Sequence, residues 1–430
     1  MTTISIRETV LCSKTRKSQA FYPWLVWFMG ASFFFYKYLV QVSPSVMTTD
    51  LMQAFHINAT GLGNLSACYF YAYLLMQIPV GILLDKFSPR RLTGTAILLC
   101  ALSTLVFAHA HSLMLASFSR AIMGLCAAFA AVSCFKQVSV WFAPKRFALV
   151  SGLCMTAAML GAINGQLPLS FLVQTFSWRN ALTIIGGIGV ILSLLYVLII
   201  RDKTIPQSKE QPLISRKGNF ISVLCNKQAW LISLYSGLAF APLSVFGGLW
   251  GVPFLQQAHG LSSSSAAFAV SFVFIGFAMG APFWGWFSDA IKRRKPVLFV
   301  GSLMSLICLS TTLYFPLQGI KIISLLLFFF GFGASGFFTS FAMIREIFSS
   351  LLAATVLGFM NTFDSICEAF SEPLVGVFLD RTWDGKIAHQ VHQFSTHGYQ
   401  LALAVLPLYL ILALCILFWI RETHCRPMDE

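Results

Sequence analysis

Asp364, Glu368 and Glu372 follow one another at four-residue intervals inside an apolar run, "NTFDSICEAFSEPLVG". On a helix that spacing stacks three carboxyls along one side, with about 40° of rotation from each to the next. Carboxyls this close in a dry environment resist ionising together and hold protons instead. The chemistry they suit is proton uptake and release, and Asp364 and Glu368 fall near the middle of the run, the depth at which transporters place coupling sites. The first half of the chain offers the opposite charge: Lys37, Arg120 and Lys136 interrupt apolar runs of their own. Charge in such a place is costly and ordinarily faces a cavity or a partner. The planar fork of arginine suits a carboxylate or phosphate, so Lys37 and Arg120 are candidates for holding an anion. Tyr36, Gln41, Trp250 and Asn361 are the polar and aromatic residues expected beside them. Lys136 lies about 24 Å along the axis from Arg120 and about 160° around it; it is expected to snorkel toward headgroups. The rival structural reading is that bases and acids pair simply to hold the two halves together.

The runs that carry these residues define the class of protein. Of 430 residues, 57% are hydrophobic and 10% are charged, too apolar for a soluble domain to cover. Segments of about 20 apolar residues span the hydrocarbon core as helices, since lipid offers no partner for unpaired backbone groups. Twelve are expected, near 21–44, 61–84, 92–108, 112–141, 147–172, 178–200, 229–254, 263–287, 296–316, 320–346, 352–379 and 399–420. They lack the apolar and polar alternation of barrel strands. The polar segment 201–228 reads as a linker between two six-helix bundles, 21–200 and 229–420, with short polar ends at 1–20 and 421–430.

Of the 29 Lys and Arg residues, 22 fall in segments on one side, which predicts cytoplasmic termini in the cell membrane. The net charge of +14 is then explained by topology and anionic headgroups, without nucleic acid. None of the eleven cysteines falls in an outer loop, and no disulfide is expected. His389, His392 and His397 cluster in one outer loop, where solvated histidines are a sufficient reading.

Two stretches end apolar runs in the same way. Gly81, Asp85, Arg90 and Arg91 close the second span in "VGILLDKFSPRRL", and Gly285, Asp289, Arg293 and Arg294 close the eighth in "WGWFSDAIKRRK", 204 residues later. A Gly one turn before an Asp is expected to let a neighbouring helix approach closely. The first stretch resembles the loop signature of the major facilitator superfamily of secondary transporters, G-x-L-x-D-[RK]-x-G-R-[RK]. Arg120 and Gly124 are similar to that family's helix-four motif. "GLCMTAAMLGAING" is similar to its helix-five motif without the Gly-Pro pair, which weakens an efflux reading. The resemblance implies an all-α integral membrane fold of twelve transmembrane helices in two pseudo-symmetric six-helix bundles. It also implies a gating role for Gly81, Asp85, Arg90, Arg91, Gly285 and Asp289.

There is no Cys/His metal spacing, no G-x-S-x-G and no Walker motif, so neither a soluble enzyme nor an ATP-driven pump is indicated. The expectation is a monomeric secondary transporter with no cofactor and no metal. Its partners would be membrane lipids, protons and a small anionic or zwitterionic metabolite: an amino acid, a short peptide or an organic acid. The alternatives are an exporter of drugs or siderophores, a uniporter, and a membrane receptor that transports nothing.

Overall fold

The computed structural model describes residues 2–201, 222–348, 352–388 and 391–425, without the side chains of 2–20, 78, 85, 86, 144, 145, 147, 148, 353, 354 and 388. Most of the linker, His389 and the last five residues therefore lie outside the described residues, as does the side chain of Asp85.

The first half contains α1 (Thr2–Val42), the short α2 (Thr48–Phe55), α3 (Ala59–Lys86), α4 (Pro89–Ala108), α5 (Leu113–Trp141), α6 (Pro144–Asn164) and α7 (Leu167–Ile199). The second contains α8 (Lys227–Val245), α9 (Gly251–His259), α10 (Ser263–Ile291), α11 (Lys295–Tyr314), α12 (Ile320–Ala334), α13 (Phe338–Ile347), α14 (Ala353–Arg381), α15 (Thr396–Leu403) and α16 (Val405–Ile416). The turns are written in the sequence. Asn58, Ser88, Ser112, Ser262 and Ser395 each accept a backbone N–H of the helix they begin, which supplies one of the donors a helix start leaves unpaired.

Among the described residues nine helices are long and apolar enough to cross a membrane. One of them, Leu149–Ile199, is 51 residues long. It doubles back at Ser177, whose φ is 71°, so that both its ends return to α1: Trp27 donates to the Val150 carbonyl at 3.2 Å and Tyr22 to that of Ile199 at 3.0 Å. The helices α3 and α14, of 28 and 29 residues, reach about 42 Å at 1.5 Å per residue. With these, and with α8–α9, α12–α13 and α15–α16 each forming one pass, the arrangement is consistent with twelve.

The two halves repeat one packing scheme. In the first, α1 packs on α6, α3 on α5, and α4 on α5 and α7; in the second, α8 packs on α14, α10 on α12, and α11 on α12 and α16. The halves meet along α3 with α14 and along α6 with α10. The chain returns at Phe87, Phe142 and Lys292 to one face, here the motif face. The distal face carries α2 and a two-stranded hairpin, β1 (Ile387–Ala388) with β2 (Val391–His392), neither of which the apolar pattern announces.

One expectation about the repeated motif is overturned. Among the described residues nothing stands within 4 Å of where a Cβ would sit on Gly81 or Gly285, so neither glycine marks a close helix contact there. Close approach occurs elsewhere: a Cβ on Gly63 would stand 2.5 Å from the Glu372 carbonyl oxygen, and one on Gly376 would strike the backbone of Ala59 and Thr60.

Candidate functional site

The three acids of α14 are buried, at 6%, 5% and 1% exposure for Asp364, Glu368 and Glu372. The 40° advance per four residues carries each toward a different neighbour. Asp364 faces α8 and accepts a hydrogen bond from Ser236 Oγ at 2.7 Å. Glu368, one turn on, faces Ser244 of α8 and Lys37 of α1. Glu372 faces Ser66 of α3 and Arg120 of α5. Continued two turns further, the same series reaches Asp380, which accepts from Ala59 N at 3.1 Å and Thr60 N at 2.8 Å at the start of α3.

The bases meet these acids across the interface between halves. The ammonium of Lys37 lies 3.7 Å from the centre of the Tyr38 ring and 5.1 Å from that of Tyr73, where the ring faces attract a cation. Arg120 donates from Nη1 to the Val40 carbonyl at 3.1 Å and from Nη2 to that of Gln41 at 3.4 Å, with its guanidinium 5.0 Å from the Tyr69 ring. Lys37 with Glu368 and Arg120 with Glu372 are electrostatic partners; neither pair closes to a direct ion pair. Around Arg120 several buried polar atoms have no close partner: its own Nε, Tyr69 Oη and Glu372 Oε2, with Ser66 Oγ facing only Glu372; Gln41, whose carbonyl Arg120 binds, carries another in its Oε1. Each such atom costs about 1–3 kcal/mol if left dry, so the cluster calls for a polar guest or water. It offers donors from a guanidinium and two hydroxyls, with a carboxyl across from them.

Of the other candidates, Gln41 meets this cluster through its backbone carbonyl. Trp250 caps it from the distal side, its Nε1 donating to the Glu372 carbonyl at 3.3 Å. Asn361 lies one turn before Asp364 and Ser365, half-buried, its carbonyl accepting from Ser365 Oγ at 2.9 Å. Tyr36 does not face the cluster: its hydroxyl lies 3.4 Å from Thr104 Oγ1 on α4 and packs over Gly189 on α7. Lys37 and Tyr36, about 100° apart on the helix, reach different neighbours: Tyr73 and Glu368 for the first, Thr104 and Gly189 for the second. Lys136 binds the Leu84 carbonyl at the end of α3, away from Arg120 as its spacing indicates.

The repeated motif makes its contacts through residues that only partly match expectation. In the first half Arg90 Nε donates to the Val197 carbonyl at 2.7 Å, while the Arg91 amide is taken by Ser88. In the second half Arg294, rather than Arg293, is the hub. It binds Asp289 at 2.7 Å and Glu346 at 2.6 Å, and the carboxylate of Glu422 accepts the amides of Arg294 and Lys295 at 2.8 and 3.0 Å. Glu346 and Glu422 were not among the sequence candidates, nor were Tyr69, Ser66, Ser236 and Asp380. Only Asp380 was signalled, since it continues the four-residue series of acids on α14.

The sequence profile described as Major Facilitator Superfamily matches residues 25–252 and 232–427. An uncharacterized transporter, YybO, of Bacillus subtilis is 33% identical over 160 residues, 37% of each chain. A probable L-galactonate transporter of Escherichia coli is 23% identical over 82% of each chain. A probable galactarate/D-glucarate transporter, GudP, of Bacillus subtilis is 23% identical over 84% of this chain and 86% of its own. Among solved structures, a bacterial homologue of the human lysosomal transporter Spinster, in an inward-facing and unoccupied conformation, superposes with a TM-score of 0.75 at 16% identity. That match covers 93% of this chain and 97% of the other. The helical arrangement in two repeating halves, consistent with twelve passes, the buried charges where they meet and the profile match over almost the whole length agree: this chain belongs to the Major Facilitator Superfamily and is a membrane transporter, not an enzyme.

Proposed function

We propose that the protein carries a small organic acid anion across the membrane by alternating access, together with a proton. The carrying observation is the set of unpartnered buried atoms around Arg120, whose donors suit a carboxylate. Names of relatives support the same substrate class, since several are named as probable transporters of galactonate, galactarate or glucarate. A zwitterion such as an amino acid or peptide fits less well. Its ammonium would compete with Lys37 for Glu368 and with Arg120 for Glu372.

In this reading Arg120 holds the substrate carboxylate, with Tyr69 and Ser66 donating beside it and Gln41 accepting a substrate hydroxyl. Glu372 and Glu368 exchange protons, because a carboxyl that loses its cationic partner to an arriving anion is more stable protonated. The basic residues that gather at the motif face make that face cytoplasmic; cysteines placed in the Asp85 and Asp289 loops should resist a membrane-impermeant label applied to intact cells. The function itself is tested by uptake of labelled galactonate or glucarate into proteoliposomes with an imposed pH gradient. Wild type is expected to accumulate substrate, and Glu368→Gln to lose accumulation while still exchanging labelled for unlabelled substrate. Accumulation that ignores the pH gradient would remove the proton from the scheme; absence of binding to any sugar acid would remove the substrate class.

A further inference from the structure

A groove far from the charged cluster opens at the motif face between α11 and the end of the last pass. It encloses about 1000 Å³ of empty space, counting the part open to its surroundings. Its rim carries Arg293, Lys295 and His424, and its walls include Phe299, Val300, Leu414 and Phe418. Those walls face the hydrocarbon: Phe299, Val300 and Phe418 are 43%, 47% and 76% exposed, in helices long and apolar enough to cross a membrane or directly following one. The groove is thus basic at headgroup level and apolar just beneath. From Lys295 to Val300 the wall runs about 8 Å into the bilayer, the length of the first few carbons of an acyl chain.

The charges at the rim are free to act outward. Arg294 turns away to Asp289 and Glu346. Among the described residues no carboxylate pairs with Arg293 or Lys295. Among the described residues the one acid at the rim is Glu422, held by the backbone amides of Arg294, Lys295, Thr423 and His424; its negative charge leaves the rim net positive by the second base.

We propose that this groove binds one anionic glycerophospholipid from the leaflet at the motif face. The phosphate and its negative headgroup sit on Arg293 and Lys295, with His424 beside them, and an acyl chain lies along Phe299, Val300 and Phe418. Because Glu422 joins the rim of the groove to Arg294 and so to Asp289 and Glu346, the lipid rests on the charged network that holds α10, α11 and α13 together. The site is independent of the substrate reading.

Native mass spectrometry of the purified full-length protein, titrated separately with phosphatidylglycerol, phosphatidylcholine and glycerol 3-phosphate, counts what stays bound. One phosphatidylglycerol is expected to bind about thirtyfold more tightly than phosphatidylcholine, the preference two basic side chains give near an anionic headgroup. Glycerol 3-phosphate should not bind. Replacing Arg293→Ala with Lys295→Ala should bring phosphatidylglycerol down to the phosphatidylcholine level, and Val300→Trp, which fills the acyl slot and keeps both charges, should weaken both lipids. Equal affinities for the two lipids, binding of glycerol 3-phosphate alone, or unchanged phosphatidylglycerol affinity in either variant would each overturn the site.

Discussion

The two ends of the molecule are tied in different ways. At the distal face the ties cross between halves: Asp380 of the second half caps α3 of the first, Gln166 donates to the Gly247 carbonyl at 2.7 Å, and Gln174 donates to Ser264 at 2.7 Å. At the motif face, among the described residues, each half is tied to itself. Arg294 gathers Asp289 and Glu346, while Arg90 and Tyr22 reach carbonyls at the end of α7. Two bodies tied at one end and separately bound at the other part at little cost at the untied end, whereas parting the tied end must break the distal hydrogen bonds. In the alternating-access cycle proposed above the distal ties are the ones that would have to break and re-form, with the motif-face networks keeping each half whole.

The largest effect is expected from Arg294→Ala. It strands the Glu346 carboxylate, 14% exposed, and removing one partner of a largely buried pair costs about 3 kcal/mol or more. Apparent thermal stability should fall sharply while cysteine reporters on the distal face keep their wild-type labelling. Faster distal labelling instead would mean that the motif-face network also sets the gate, and the contrast between the ends would collapse. Asp380→Asn should do the opposite. Replacing a charged acceptor by a neutral one at a helix start loses about 1.5–2 kcal/mol, enough to shift the balance between distal-closed and distal-open forms by about tenfold to thirtyfold. A cysteine at Gln257, which lines a distal-face pocket together with Thr48, Trp250 and His392, should label correspondingly faster with unfolding temperature little changed; unchanged labelling would show that the cap does not hold the gate. The smallest effect belongs to Asp289→Asn. Its side chain is 69% exposed, and exposed pairs are worth about 0.2–1 kcal/mol, so stability should move by no more than about 1 kcal/mol. A loss matching that of Arg294→Ala would make Asp289 the anchor of the network in place of Glu346.

The membrane passes were legible because lipid imposes a length and an apolarity that composition cannot hide, and the acid series because the helix repeat alone puts Asp364, Glu368 and Glu372 on one side. Their partners were not legible. Lys37 lies 331 positions from Glu368, and Arg120 lies 252 from Glu372, so only the packing of α14 against the first half brings them together. Tyr69 and Ser66 escaped for another reason: a hydroxyl or phenol in an apolar run is ordinary, and only its lack of a partner after folding marks it out. The motif glycines misled because a Gly one turn before an Asp suggests close packing, whereas Gly81 and Gly285 face open space and the helices touch at Gly63 and Gly376.

That contact gives the interface between halves an unusual surface. Where α3 crosses α14, the backbone at Gly63 lies on that of Glu372 and Pro373, and the backbone at Gly376 lies on that of Ala59 and Thr60. Most helix pairs interlock side chains like the teeth of gears and must disengage them to turn. A seam of bare backbone has no teeth at that crossing. In the proposed cycle it would serve as a plain bearing, on which one half can roll over the other once the Asp380 clasp beside it lets go, and any side chain added at Gly63 or Gly376 would be grit in it.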